Sequence, residues 1–251
     1  MTDTAVRIHS YQVPEKRLGV FFMGQAGVIL KAPDNTLLAV DLYLSDCCER
    51  YFGFKRLMPK LVGVDDLRLD YVCATHAHFD HFDPDSIPQL LAHGARLYAA
   101  SDCKAECERL GIGGMTEMVC GSTYAAGCFE ITAVECDHGA DTPYAVGLYI
   151  KCGSKSVYIA GDTCFRPDIA EKMREYPINL MFAPINGAFG NLNEEKGAEF
   201  FHIVSPDLCV PCHYWNFAEH GGDPGKFAGI MKEKYPSLPY KLMSPGEYIL
   251  I

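Results

Sequence analysis

No run of apolar residues in this sequence is long enough to span a bilayer, which argues against a membrane-embedded protein. It also has no Gly-x-Ser-x-Gly elbow, no P-loop and no Gly-x-Gly-x-x-Gly turn. Serine-centred hydrolysis and a glycine cradle for nucleotide phosphates are therefore not indicated. Positive charge is scarce: 22 Lys and Arg stand against 32 Asp and Glu, a formal net charge of -10. Such a chain repels a phosphate backbone over most of its surface, so a long nucleic acid is a disfavoured partner. The start, Met1-Thr2-Asp3-Thr4, lacks the basic-then-apolar pattern of a secretory leader. Together with the missing span, this points to a cytoplasmic protein.

Cysteine, by contrast, is plentiful. Several of the 12 cysteines lie in apolar runs such as Tyr71-Val72-Cys73-Ala74, which reads as reduced, buried thiols rather than a disulfide framework. The pair in Cys209-Val210-Pro211-Cys212 has redox spacing but lies in a strand-like run, so it is read the same way. With 251 residues, 49% of them hydrophobic, the chain suits one domain spanning 1–251.

Turn residues punctuate the chain into short elements. Strands are expected at 18–22, 27–31 and 36–41, separated by Gly24 and by Pro33-Asp34-Asn35. Further strands are expected at 69–75, 95–100, 117–120, 129–135, 144–151, 156–160, 180–183, 207–210 and 247–251. Helices are expected from Pro84 to about His93, from a Ser101 cap to Leu110, over 167–176, after an Asn193 cap, and after Asp223-Pro224. Several strands follow one another without a helix between them. That excludes a pure βαβ alternation and suits an α/β layered sandwich of two mixed sheets.

The strongest chemical signal is His76-Ala77-His78-Phe79-Asp80-His81, directly after the 69–75 strand. Side chains two apart share a face, so His76 and His78 can point together, while Asp80 and His81 continue into a turn and reach a second point. Two adjacent metal positions follow, and imidazole with carboxylate suits Zn²⁺, Mn²⁺ or Fe²⁺. Two ions about 3.5–4 Å apart would lower the pKa of a shared water toward neutrality, giving a nucleophile without serine or cysteine.

This cluster, His-x-His-x-Asp-His after an apolar strand, resembles the signature of the metallo-β-lactamase superfamily. The runs Gly24-Gln25-Ala26-Gly27, Glu49 to Arg56, Pro184-Ile185-Asn186-Gly187, Gly190-Asn191-Leu192-Asn193 and Pro211-Cys212-His213-Tyr214 resemble its L-ascorbate-6-phosphate lactonase-like branch. The resemblance implies a four-layer αββα sandwich with two metal ions, Mn²⁺ or Zn²⁺, at one edge. It also implies that His138 joins His76 and His78, that Asp162 bridges the ions, and that His213 joins Asp80 and His81. In this reading Asp80 also orients the attacking water. Asp41 either orients a ligand imidazole or is a strand-end turn residue. His220 is a candidate proton donor to the leaving group, or else an exposed loop histidine. Arg166 and Asn186 fall in loops expected near the metals and could hold an anionic substrate; Arg166 could instead pair with a surface carboxylate.

The branch resemblance implies a lactonase acting on a phosphorylated sugar acid lactone, a small anionic substrate. A phosphodiesterase for small or cyclic diesters would use the same centre, and a non-catalytic metal- or ligand-binding module is the third reading. The resembled lactonases are oligomeric, and Tyr51-Phe52-Gly53-Phe54 could be an apolar contact in a homo-oligomer or part of the core.

Overall fold

The computed structural model describes all residues, 1–251. Two sheets face each other. The first carries, in spatial order, β13 (Tyr248–Leu250), β1 (Gly19–Gly24), β2 (Gly27–Lys31), β3 (Leu37–Val40), β4 (Tyr71–Ala74), β5 (Arg96–Ala100) and β6 (Thr116–Met118). The second carries β12 (Cys209–Cys212), β11 (Leu180–Pro184), β10 (Lys155–Ile159), β9 (Val146–Cys152), β8 (Phe129–Glu135) and β7 (Thr123–Ala126). Both are mixed: the first is an antiparallel meander from β1 to β3 and parallel from β3 to β6.

The period-two alternation of the strands builds the layers. Val20, Phe22, Leu30 and Val40 point inward against Ile131, Leu148, Ile150 and Phe182 of the other sheet. Phe22 and Phe182 meet across the gap with ring centroids 6.1 Å apart. Each such fully buried side chain contributes roughly 1.5–3 kcal/mol. The alternate residues Phe21, Ile29 and Ala39 face outward, where α1 (Asp3–Ser10), α3 (Ile87–Ala92) and α4 (Lys104–Leu110) cover them. On the far side, Tyr149, Tyr158 and Met181 pack against α5 (Pro167–Met173), α6 (Glu194–Val204) and α7 (Pro224–Lys234). The result is the αββα sandwich. No helix is long and apolar enough to cross a membrane.

The punctuation placed most elements, and the differences have local causes. Residues 3–10 form α1, although the start reads as polar: only Ala5 and Ile8 are buried, too few to make a pattern. Thr2 caps its first turn, and Lys31, 1% exposed, donates from Nζ to the carbonyls of Ile8 (2.8 Å) and His9 (2.7 Å) at its last. Burial pulls the Lys31 pKa down, while those carbonyls accept its protons. The helix expected from Pro84 begins only at Ile87. The buried Asp83 carboxylate first accepts the amides of Leu44 and Ser45 and the hydroxyls of Ser45 and Ser86, and the chain turns around it. Ser101 does not cap an α-helix; it opens a 3₁₀ turn, and its hydroxyl donates to Glu117 at 2.7 Å. The short helix α2 (Cys47–Phe52) and the strand β7 were not anticipated. Helix α2 ends on Gly53 at φ 79° and leaves Tyr51 and Phe52 exposed.

Candidate metal centre

The strand directions gather the site. β8 is antiparallel to β9, which is antiparallel to β10, and β10, β11 and β12 are parallel. So β8, β10, β11 and β12 all end at one edge, beside the ends of β1, β3 and β4 in the other sheet. Asp41, His76–His81, His138, Asp162 and His213 lie just beyond those ends. The two halves are stitched there by three backbone bonds: His213 N–H to the Gln25 carbonyl at 2.8 Å, Val146 N–H to the Thr75 carbonyl at 3.0 Å, and Leu57 N–H to the Asn216 carbonyl at 2.7 Å. Gly161 must be glycine for the chain to deliver Asp162: its φ is +67°, and a Cβ would lie 3.1 Å from the Val146 carbonyl oxygen.

Seven side chains form three overlapping groups whose donor atoms lie within 4.8 Å of one another: His76, His78 and His138; His76, His81 and Asp162; Asp80, His81 and His213. In the first, His78 Nδ1 lies 3.0 Å from His76 Nε2 and 3.1 Å from His138 Nε2. Burial lowers all three pKa values, that of His138 to about 4, so these rings are neutral. A shared ring proton would satisfy one of those contacts, whereas a cation satisfies every lone pair that meets there. Ligand nitrogens 2.0–2.1 Å from a tetrahedral ion sit about 3.3 Å apart, close to the spacing seen.

The other donors, Asp80, His81, Asp162 and His213, form a second, charged group. Asp162 Oδ1 lies 3.3 Å from His81 Nε2, and its Oδ2 lies 3.1 Å from His213 Nε2. Asp80 Oδ2 lies 3.3 Å from His213 Nε2. Burial opposes charge on both histidines, but Asp162 and Asp80 outweigh it, holding His81 well above the usual imidazole range and His213 at about 9. The same pairing holds both carboxyls, against burial, well below their usual range. Asp162 touches members of both groups, since its Oδ2 also lies 3.7 Å from His138 Nε2.

The surrounding bonds set the tautomers. Asp41, fully buried at φ 51°, accepts Thr75 N–H (2.8 Å) and Thr75 Oγ1–H (2.7 Å), and its Oδ2 lies 2.9 Å from His81 Nδ1. A proton on His81 Nδ1 then leaves Nε2 facing the site. Thr75 Oγ1, having donated to Asp41, accepts from His76 Nδ1 at 3.0 Å, which likewise turns His76 Nε2 inward. The donor set and its tautomers fit divalent cations.

Two neighbours were not singled out as site residues from the sequence. Gln25, buried at φ 54°, donates from Nε2 to Asp80 Oδ2 at 2.7 Å, and its Oε1 has no protein partner. Asn191 donates to Asp162 Oδ2 at 2.6 Å. No spacing rule finds either; a lone amide in a glycine-bounded turn carries no signal of its own. His220 is buried rather than an exposed loop residue: it stacks on His213 at 4.8 Å, and Gln25 Nε2 lies 3.3 Å from its Nδ1. Burial and the His213 charge lower its pKa to about 4, so it stands as a neutral imidazole and not as an imidazolium proton donor.

Arg166 and Asn186 do not meet the expectation for substrate binding. Arg166 is held by carboxylates on its own loop and on the neighbouring one, Asp168 (2.9 and 2.6 Å) and Asp137 (2.9 Å). Asn186 is buried, its Nδ2 donating to the Ala188 carbonyl at 3.4 Å. Neither lines the cleft of about 590 Å³ that opens over the histidines and aspartates.

Residues 42–214, more than half the chain, match the beta-lactamase superfamily domain, and the chain belongs to that family. Among curated proteins it is similar to a UPF0173 metal-dependent hydrolase of Staphylococcus aureus (strain bovine RF122 / ET3-1), 22% identical over 91% of this chain and 97% of the relative. Among solved structures it is similar to Igni18, a metallo hydrolase of Ignicoccus hospitalis, at 22% identity and a TM-score of 0.75, covering 94% of this chain and 99% of that one. It is also similar to an isothiocyanate hydrolase from Delia radicum gut bacteria, at 18% identity and a TM-score of 0.71, covering 92% and 98%. The fold is that of the metallo-β-lactamases.

Proposed function

We propose that this chain is a metal-dependent hydrolase with two adjacent cation positions, opening a lactone or a similar acyl bond. The observation that carries the reading is the convergence of seven imidazole and carboxylate donors beneath an open cleft. Relatives named metal-dependent hydrolases support it. When bound, divalent ions would supply a water deprotonated near neutral pH and would polarise the bond under attack. His76, His78 and His138 would hold one ion, Asp80, His81 and His213 the other, and Asp162 would reach both. Asp41 and Thr75 fix the ring orientations, Gln25 aims the Asp80 carboxylate, and His220 offers a neutral hydrogen-bonding group beside the second position. The imidazole-rich donor set suits zinc, and the lactonase-like resemblance favours manganese.

The cleft favours a substrate that carries no phosphate away from the reacting bond. Among the 14 residues that line it there is no Lys or Arg, the side chains that clamp phosphoryl oxygens. Such a lining suits a lactone without the phosphate that the branch resemblance implies. The test is elemental analysis of protein purified without added metal, then turnover of a δ-lactone and of a phosphodiester before and after chelation and reconstitution. Metal-dependent lactone turnover is expected. Diester turnover alone would make the chain a phosphodiesterase, and bound metal with neither activity would make it a binding module.

A further inference from the structure

We propose that the cleft is built for a neutral substrate with an aromatic or alkyl body, and that Phe54 and Phe189 set this specificity. The proposal rests on the hydrolase reading only for which bond is cleaved. Five phenyl rings line the cleft: Phe52, Phe54, Phe79, Phe189 and Phe217. They run directly into the polar floor. The His220 ring lies 4.8 Å from Phe217, 5.5 Å from Phe189 and 6.0 Å from Phe54, centroid to centroid. A ligand whose reacting group reaches the donor cluster thus has apolar wall beside the rest of it.

Two features of the wall have no explanation in packing. Phe52 and Phe189 are 56% and 59% exposed, large apolar surfaces left in water at the mouth of a cleft. Phe189 also holds φ at 53°, a left-handed conformation that aromatic residues rarely adopt. Its segment is pinned by the Gly187 N–H to Leu192 carbonyl bond (2.9 Å) and by Asn191, which donates to Asp162. The same anchor that serves the polar floor therefore projects Phe189 over the mouth, 6.0 Å from Phe54. The charges point the same way: the only lining residue that adds charge outside the donor cluster is Asp141, so a phosphorylated or carboxylated body would meet a carboxylate and no cation. A volume of about 590 Å³ suits a small molecule.

The test is calorimetric binding to the zinc-reconstituted 251-residue chain. The probes are 3,4-dihydro-2-quinolinone, a neutral aryl lactam that resists hydrolysis, and 6-phosphogluconate. The lactam is expected to bind at least about tenfold more tightly than the phosphorylated acid. The exposed-ring variant Phe189→Ala, and the double variant with Phe54→Ala, should weaken it by about tenfold or more with metal content unchanged. Equal or tighter binding of 6-phosphogluconate would overturn the proposal, as would lactam affinity unmoved in both variants. So would sedimentation showing the rim closed by a second copy that excludes the lactam. Wall-dependent lactam binding in a chain that cleaves no lactone would keep this inference and sink the acyl-hydrolase reading. Lactone turnover without wall-dependent binding would do the reverse.

Discussion

The two halves of the donor cluster solve opposite electrostatic problems. His76, His78 and His138 are left neutral by burial, three lone-pair donors with no anion needed to keep them so. Asp80, His81 and His213, with Asp162, form a buried network in which imidazolium and carboxylate hold each other charged. The first half is ready for a cation as it stands. The second must give up protons before a cation can take their place. Neighbouring positions built from nearly the same residue types should therefore fill differently.

The largest effect is expected from Asp80→Ala, which takes a carboxylate from the second half only. Hydrolysis should be abolished, metal content should fall toward the single ion of the first half, and circular dichroism should be unchanged. Full activity in this variant would show that the two halves do not divide the work as described. Next comes Asp41→Asn. It disturbs the Nδ1 partner of His81 directly and that of His76 only through Thr75, so affinity at the second position should drop by about 10–100-fold and at the first by less. A metal titration that weakens both equally would erase the distinction.

The pH dependence sharpens the same contrast. Between pH 7 and 9 the first half is already deprotonated, so its affinity should be nearly flat. The second half, with His213 at about 9, should bind more tightly as pH rises, by about tenfold per unit for each proton displaced. Titration with Zn²⁺ at several pH values, following proton release, reads this directly; parallel curves for both ions would contradict it. The smallest effect is expected from Gln25→Leu. The loss of the amide that aims Asp80 should lower kcat by about tenfold, with both ions retained and KM little changed.

How much of this was legible in sequence follows from how each part is encoded. His76 to His81 is contiguous, so its chemistry is visible without a fold. His138, Asp162 and His213 follow separate strands and were placed by resemblance; the shared direction of β8, β10 and β12 is what brings them to one edge. Arg166 misled because distance along the chain from Asp162 says nothing of direction, and Asp137 and Asp168 compete for its guanidinium. The phenyl wall was illegible for a different reason. Its rings come from separate loops, and no period links Phe54, Phe79, Phe189 and Phe217. Short elements such as α1, with Ala5 and Ile8 as its only buried residues, escape for want of repeats.

The donor cluster draws on both sheets, His76 to His81 from one and His138, Asp162 and His213 from the other. A cation seated there acts as a rivet through the sandwich at the edge where few backbone bonds join its halves. Ligation and folding then become one thermodynamic act: whatever strips the ions also loosens the seam, and resistance to heat rises with free metal concentration.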